Sequence, residues 1–158
     1  MPTQAEIDHA KVETEKHIDQ VRTRLLWVAY QLILRSAVHD KTKLEDPELA
    51  TFAEVTPKLL KMTYGSEEYM QTLAQMKPAL EHHYAHNSHH PEHYPNGVDG
   101  MDLLDLIEMF CDWKAATLRH ADGSLEKSIE VNKKRFGLSD QLCNIFRNTI
   151  GKIEPKGP

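Results

Sequence analysis

TQAEIDHAKVETEKHIDQVRTRLLWVAYQLILRSAV, residues 3–38, holds neither proline nor glycine, and its periodicity decides the fold class. Thr3-Gln4-Ala5-Glu6 has the form of a capping box, in which hydroxyl and carboxylate each satisfy a free amide of the first turn. Ile18, Val21, Leu25, Val28 and Leu32 then recur every three or four residues and give a helix one apolar face. The spacing predicts a long first helix over roughly residues 4–36, straight or bent. No stretch of the chain sustains the strict alternation of a strand, so an all-α, single-domain helical bundle is expected over residues 1–153, with 154–158 a frayed tail.

Punctuation places the remaining helices. Asp46-Pro47 and Thr56-Pro57 each read as an N-cap with proline at the first helical position, starting two short helices, the second stopped by Gly65. Ser66 caps a helix from Glu67 into the histidine tract, kinked at Pro78. Residues 88–100 form a loop, Asp99 caps a helix over about 101–119, and two more follow over about 124–136 and 139–152, with Ser139 capping the last.

A chain of 158 residues can bury a core without staples. Its formal charge of −5 argues against a nucleic-acid surface, which needs clustered Lys and Arg. Lys133-Lys134-Arg135 reads as a solvated helix face. Cys111 and Cys143 form no CxxC pair and read as ordinary buried thiols in a reducing compartment. With a polar N-terminus and no apolar run near the roughly 18 residues that span a bilayer, a cytoplasmic protein with no membrane partner is expected. The first helix can pair with itself in a homodimer or be covered by the later helices.

Histidine is the outlier. Of ten, six (His82, His83, His86, His89, His90 and His93) fall within twelve residues. The stripe Tyr69, Leu73, Met76, Leu80 continues to His83 and Asn87, which should therefore face inward, while His82 and His86 pair on a neighbouring face. His89 and His90 lie past the turn, stiffened by Pro91. Crowded neutral imidazoles gain most from a shared cation.

His39-Asp40 stands where the first helix must end. Adjacent His and Asp side chains reach one point only where the backbone departs from a straight helix, and together they suit Mn, Fe, Zn or Ni. Asp105, Glu108 and Asp112 flank a predicted buried stripe of Leu104, Ile107, Cys111, Ala115 and Leu118. They form either an acidic solvated face or a cluster paired with cations, with Asp112 a ligand and Glu108 orienting an imidazole or acting as a base.

His39-Asp40, a later histidine pair and an aspartate on a downstream helix resemble the HD-domain metal-dependent phosphohydrolase superfamily, and Lys43 matches a lysine often found after that doublet. HDKTK (39–43), HYAHNSHHPEHY (83–94) and EMFCDW (108–113) resemble more closely a small family of phage and bacterial proteins of unknown function. The superfamily resemblance implies His39, Asp40 and Asp112 as core ligands of one or two divalent ions (Mn, Fe, Zn, Ni or Mg), with His83 and His89 or His90 added. It also asks for a histidine upstream, where His17 is the candidate. Twenty-two residues of helix span about 33 Å, however, so His17 is left out of the site.

The expectation is a metal-dependent hydrolase of a small phosphorylated substrate. Asp40, Lys43 and Glu108 would do the chemistry, Lys43 holding a phosphate oxygen and Glu108 orienting water. A di-iron HD-type oxygenase and a non-enzymatic, metal-stapled interaction protein are the rival readings.

Overall fold

A computed structural model of the chain describes residues 1–59, 61–62, 67–118 and 123–153. The fold is all-α. Its elements are α1 (Gln4–Val38), α2 (Glu48–Leu59), α3 (Glu67–Ala74), α4 (Lys77–His86), α5 (Leu103–Thr117), α6 (Leu125–Phe136) and α7 (Asp140–Thr149). Short 3-10 turns lie at Lys41–Leu44, Pro91–His93, Gly97–Gly100 and Ile150–Lys152, and no strand occurs among the described residues.

Internal packing divides the chain into two compact units, Met1–Ala37 and Val38–Pro158. The first is α1. Its predicted capping box is present, with the Thr3 amide donating to Glu6 Oε2 at 2.7 Å and the Glu6 amide to Thr3 Oγ1 at 3.4 Å. The helix carries no buried residue, and no described helix is long and apolar enough to cross a membrane.

The core of the second unit lies among α5, α6 and α7, where Met109, Phe110, Trp113, Leu125, Ile129, Leu138, Cys143 and Phe146 are buried together. The rings of Phe110 and Phe146 stack at 4.7 Å. Ser139 caps α7 as its sequence predicts, Ser124 caps α6, and Gly137 ends α6 in the left-handed conformation (φ 66°) that suits glycine.

Four expectations need correction. Thr56-Pro57 starts no helix: α2 runs through it, with Pro57 and Ala53 both exposed, so water can take the carbonyl that proline leaves without a donor. The Gly65 stop, the Ser66 cap and the tail at 154–158 lie outside the described residues. The helix expected to kink at Pro78 is two helices, α3 and α4, with Pro78 in the first turn of α4, where a missing N–H costs little. The cap of α5 is Asp102 rather than Asp99; its carboxylate accepts from the Leu104 and Asp105 amides, and Asp105 completes a capping box.

The fourth concerns the phase of α5. Ile107, Cys111, Ala115 and Leu118 are exposed, and the buried face is Asp105, Met109, Phe110 and Trp113. Apolar residues occur nearly all round this helix, so spacing alone leaves its phase open. The large rings settle it, because they remove the most apolar area from water.

Candidate functional site

The first helix stops at Val38, and Asp40 adopts a left-handed backbone (φ 56°) at the head of the 3-10 turn Lys41–Leu44. A non-glycine residue there is uncommon and costs energy. It turns the chain so that two adjacent side chains, His39 and Asp40, address the same space. His39 Nε2 lies 3.6 Å from Asp40 Oδ2 and 3.8 Å from Asp112 Oδ1.

Three further imidazoles arrive from α4 and the loop after it. His83 and Asn87 are both buried, as the stripe predicts. The loop then returns His89 and His90 to the same place. Nε2 of His83 and Nε2 of His89 lie 3.2 and 3.4 Å from Asp40 Oδ1, and Nε2 of His90 lies 2.9 Å from that of His83. Within the sets Asp40–His83–His89–His90, His39–His89–Glu108 and His39–Asp40–Asp112, the ligand atoms all lie within 4.8 Å of one another. The six expected ligands, His39, Asp40, His83, His89, His90 and Asp112, are thus brought together.

Two glutamates set the orientation of the rings. Glu108 Oε1 faces Nδ1 of His39 at 2.9 Å and Nδ1 of His89 at 3.2 Å. Glu48, which is completely buried, puts Oε2 on Nδ1 of His83 at 2.9 Å and Oε1 on Nδ1 of His82 at 2.7 Å. An ionised carboxylate only accepts, so in each neutral ring the proton sits on Nδ1 and Nε2 keeps its lone pair. The Nε2 lone pairs of His39, His83 and His89 then converge with the Asp40 and Asp112 carboxylates.

This assembly is rich in acceptors and poor in donors. Asp40 Oδ1 and His89 Nε2 are buried without a hydrogen-bond partner among the described residues, and orphaned buried polar atoms are costly. A cation offsets that cost. The clustered groups could hold a metal ion; in its absence a proton serves. Burial works against charging His89, but Asp40 and Glu108 outweigh it and push its pKa up to about 9. Burial, with the neighbouring His89 and His83, takes His90 down to about 3. Burial would raise Asp40, yet His83, His89 and Lys43 hold it well below the ordinary carboxylate range.

Lys43 Nζ lies 2.6 Å from Asp40 Oδ2 with about a third of its side chain exposed. It therefore neutralises Asp40 from the solvent side. Asp105 belongs elsewhere: it accepts from Ser88 Oγ and from Tyr94 OH, each at 2.6 Å, tying the histidine loop to α5. His93 caps the Tyr84 carbonyl through Nδ1 at 2.7 Å, and the His86 ring bonds the His82 carbonyl at 2.8 Å. Neither joins the cluster.

Sequence reasoning missed Glu48. The signal was available: Glu48, Phe52 and Val55 share one face of α2, so a carboxylate occupies an apolar register. It also missed Thr42, whose hydroxyl lies 3.2 Å from His83 Nδ1 and accepts from Asn87 Nδ2 at 2.9 Å.

Fold and site together define an all-α protein with a partly buried histidine–carboxylate cluster that could hold a metal ion. The chain belongs to the family of unknown function DUF5662, which matches it over residues 6–152. No curated protein and no solved structure matches it.

Proposed function

We propose that this chain is a metal-dependent hydrolase of a phosphate ester, with a nucleotide or another small phosphorylated metabolite as substrate. The observation that carries the reading is the convergence of imidazole Nε2 atoms on Asp40, where two buried atoms, Asp40 Oδ1 and His89 Nε2, lack a partner among the described residues. His39, Asp40, His83, His89, His90 and Asp112 would hold one or two divalent ions. A bound ion would supply a water of lowered pKa and positive charge for phosphate oxygens.

The chain's own residues do the rest. Glu108 and Glu48 hold three rings in the tautomer that ligation requires. His83 and His89, almost without solvent contact, close the inner side of the site, whereas His39, Asp112 and Lys43 each keep a quarter or more of their side chain exposed. Substrate would therefore approach from the side of Asp112 and Lys43. Lys43, already resting on Asp40, is placed to exchange that contact for a phosphate oxygen. The resemblance of the His39-Asp40 doublet, followed by Lys43, to HD-domain phosphohydrolases supports the same reading.

The test is metal analysis of protein purified without chelator or affinity nickel, followed by assay of the loaded protein on a panel of phosphate mono- and diesters. Turnover that disappears in both Asp40→Asn and Asp112→Asn is expected. Tight metal binding with no turnover on any ester would favour a structural staple, and turnover that survives both substitutions would reject the site.

A further inference from the structure

α1 is 35 residues long and buries none of them. At 1.5 Å per residue it extends about 52 Å. Its apolar stripe keeps the alternating four- and three-residue steps of a heptad seam: Ile18, Val21, Leu25, Val28, Leu32. Four of these are large exposed side chains, Leu25 at 64%. Exposed apolar area on this scale marks an interaction surface.

The charges say what kind of surface fits. Residues 4–19 carry five acids (Glu6, Asp8, Glu13, Glu15, Asp19) against two lysines, whereas residues 20–38 carry three arginines and no acid. The halves are thus of opposite sign, three charges net each way. A parallel pair would set acid beside acid and arginine beside arginine. An antiparallel pair sets each acidic half along the partner's basic half and opposes the helix dipoles.

We infer that α1 is the self-association element of this protein, pairing antiparallel with α1 of a second copy. In the register that pairs Ile18 with Val21 of the other copy, Leu25 meets Thr14 and Leu32 meets Ile7. Glu15 of each copy then flanks Arg22 of the other, an opposite-charge pair beside the seam. Lys11 enters this seam opposite Val28, and its stem covers the valine while the ammonium reaches water.

The experiment uses the full chain. Analytical ultracentrifugation is expected to show a dimer at micromolar concentration. Val21→Asp should raise its dissociation constant at least about tenfold, because a carboxylate set opposite Ile18 in the seam is desolvated without a partner, while helicity and metal content stay unchanged. Charge variants read the orientation: Arg22→Glu should weaken the dimer, and adding Glu15→Arg should restore it. In a Cys111→Ser background, Thr14→Cys and Leu25→Cys should cross-link to each other when mixed, and neither to itself. A monomer at every concentration would overturn the inference. So would self-cross-linking at position 14, which a parallel pair produces, or a monomer that binds phosphatidylcholine–phosphatidylglycerol vesicles through α1. None of these outcomes bears on the metal site, which uses no residue of α1.

Discussion

Glu108 Oε1 accepts from Nδ1 of His39 at 2.9 Å while standing 3.2 Å from Nδ1 of His89. One oxygen atom therefore orients two rings that come from positions fifty residues apart, and both present Nε2 to Asp40. Glu48, on α2, does the same for His83. The histidine tract is chemically directed only because these two acids, on α2 and α5, decide which nitrogen faces inward.

Glu108→Gln and Glu48→Gln should each weaken divalent-metal affinity by about 10–100-fold, the range found when an outer carboxylate behind a ligand imidazole is lost. A glutamine amide can point its nitrogen at Nδ1 and favour the wrong tautomer. Competition titration with a chromophoric chelator measures this. Affinity unchanged in both variants would mean that the rings need no such support.

Asp105→Asn should destabilise the fold by roughly 2–3 kcal/mol, because two hydrogen bonds to a buried carboxylate are weakened at once. Tyr94 supplies one of them, and burial together with Asp105 raises its pKa to about 12. Since the same contacts tie the histidine loop to α5, metal affinity should fall along with stability. Urea unfolding of metal-free and metal-loaded protein separates the two effects. Unchanged stability in the Asp105→Asn variant would show that the latch is superfluous.

How much of this was legible beforehand depended on whether a residue's local rule agreed with its tertiary role. Ser124, Ser139 and Gly137 obey capping chemistry, and their helices follow. His83 and Asn87 continue a helical stripe, and their burial follows from phase. His39-Asp40 needed a non-helical backbone, and Asp40 has one. Glu48 shares a helix face with Phe52 and Val55, which marks it as buried, but which groups it meets there depends on His82 and His83 arriving from a distant helix. The face of α5 was misread because Ile107 and Cys111 fit a stripe as well as Met109 and Phe110 do. Only the partner rings on α6 and α7, which no local pattern reveals, break that tie.

The corrected phase of α5 has a chemical signature. Cys111 is exposed and Cys143 is completely buried. One thiol of the native protein should react with a disulfide reagent, and two after denaturation. Partial burial, with the nearby Glu108, raises the Cys111 pKa, so its labelling should be slow at neutral pH and accelerate as the solution becomes alkaline. Two unreactive thiols in the native state would restore the phase expected from spacing.

The stability of the metal-free protein should peak near neutrality. His89 is raised to about 9 from an ordinary 6.5. The stabilisation carried by its proton is therefore complete below pH 6.5 and is lost as pH rises through 9. His90 acts in the opposite sense: lowered to about 3, it refuses in the folded state a proton that the unfolded chain accepts, so stability also falls as pH drops below 6.5. Thermal melts of chelated protein between about pH 5 and pH 9.5 should trace this maximum, and His89→Gln should flatten its alkaline side while, by removing a charge that holds His90 down, also easing the fall on the acid side. Metal ligation at Nε2 needs that same proton gone. Calorimetric titration with a divalent ion near pH 7.5, in buffers of different ionisation enthalpy, should accordingly register about one proton released per protein. No release, with the alkaline slope intact, would place the ion away from His89.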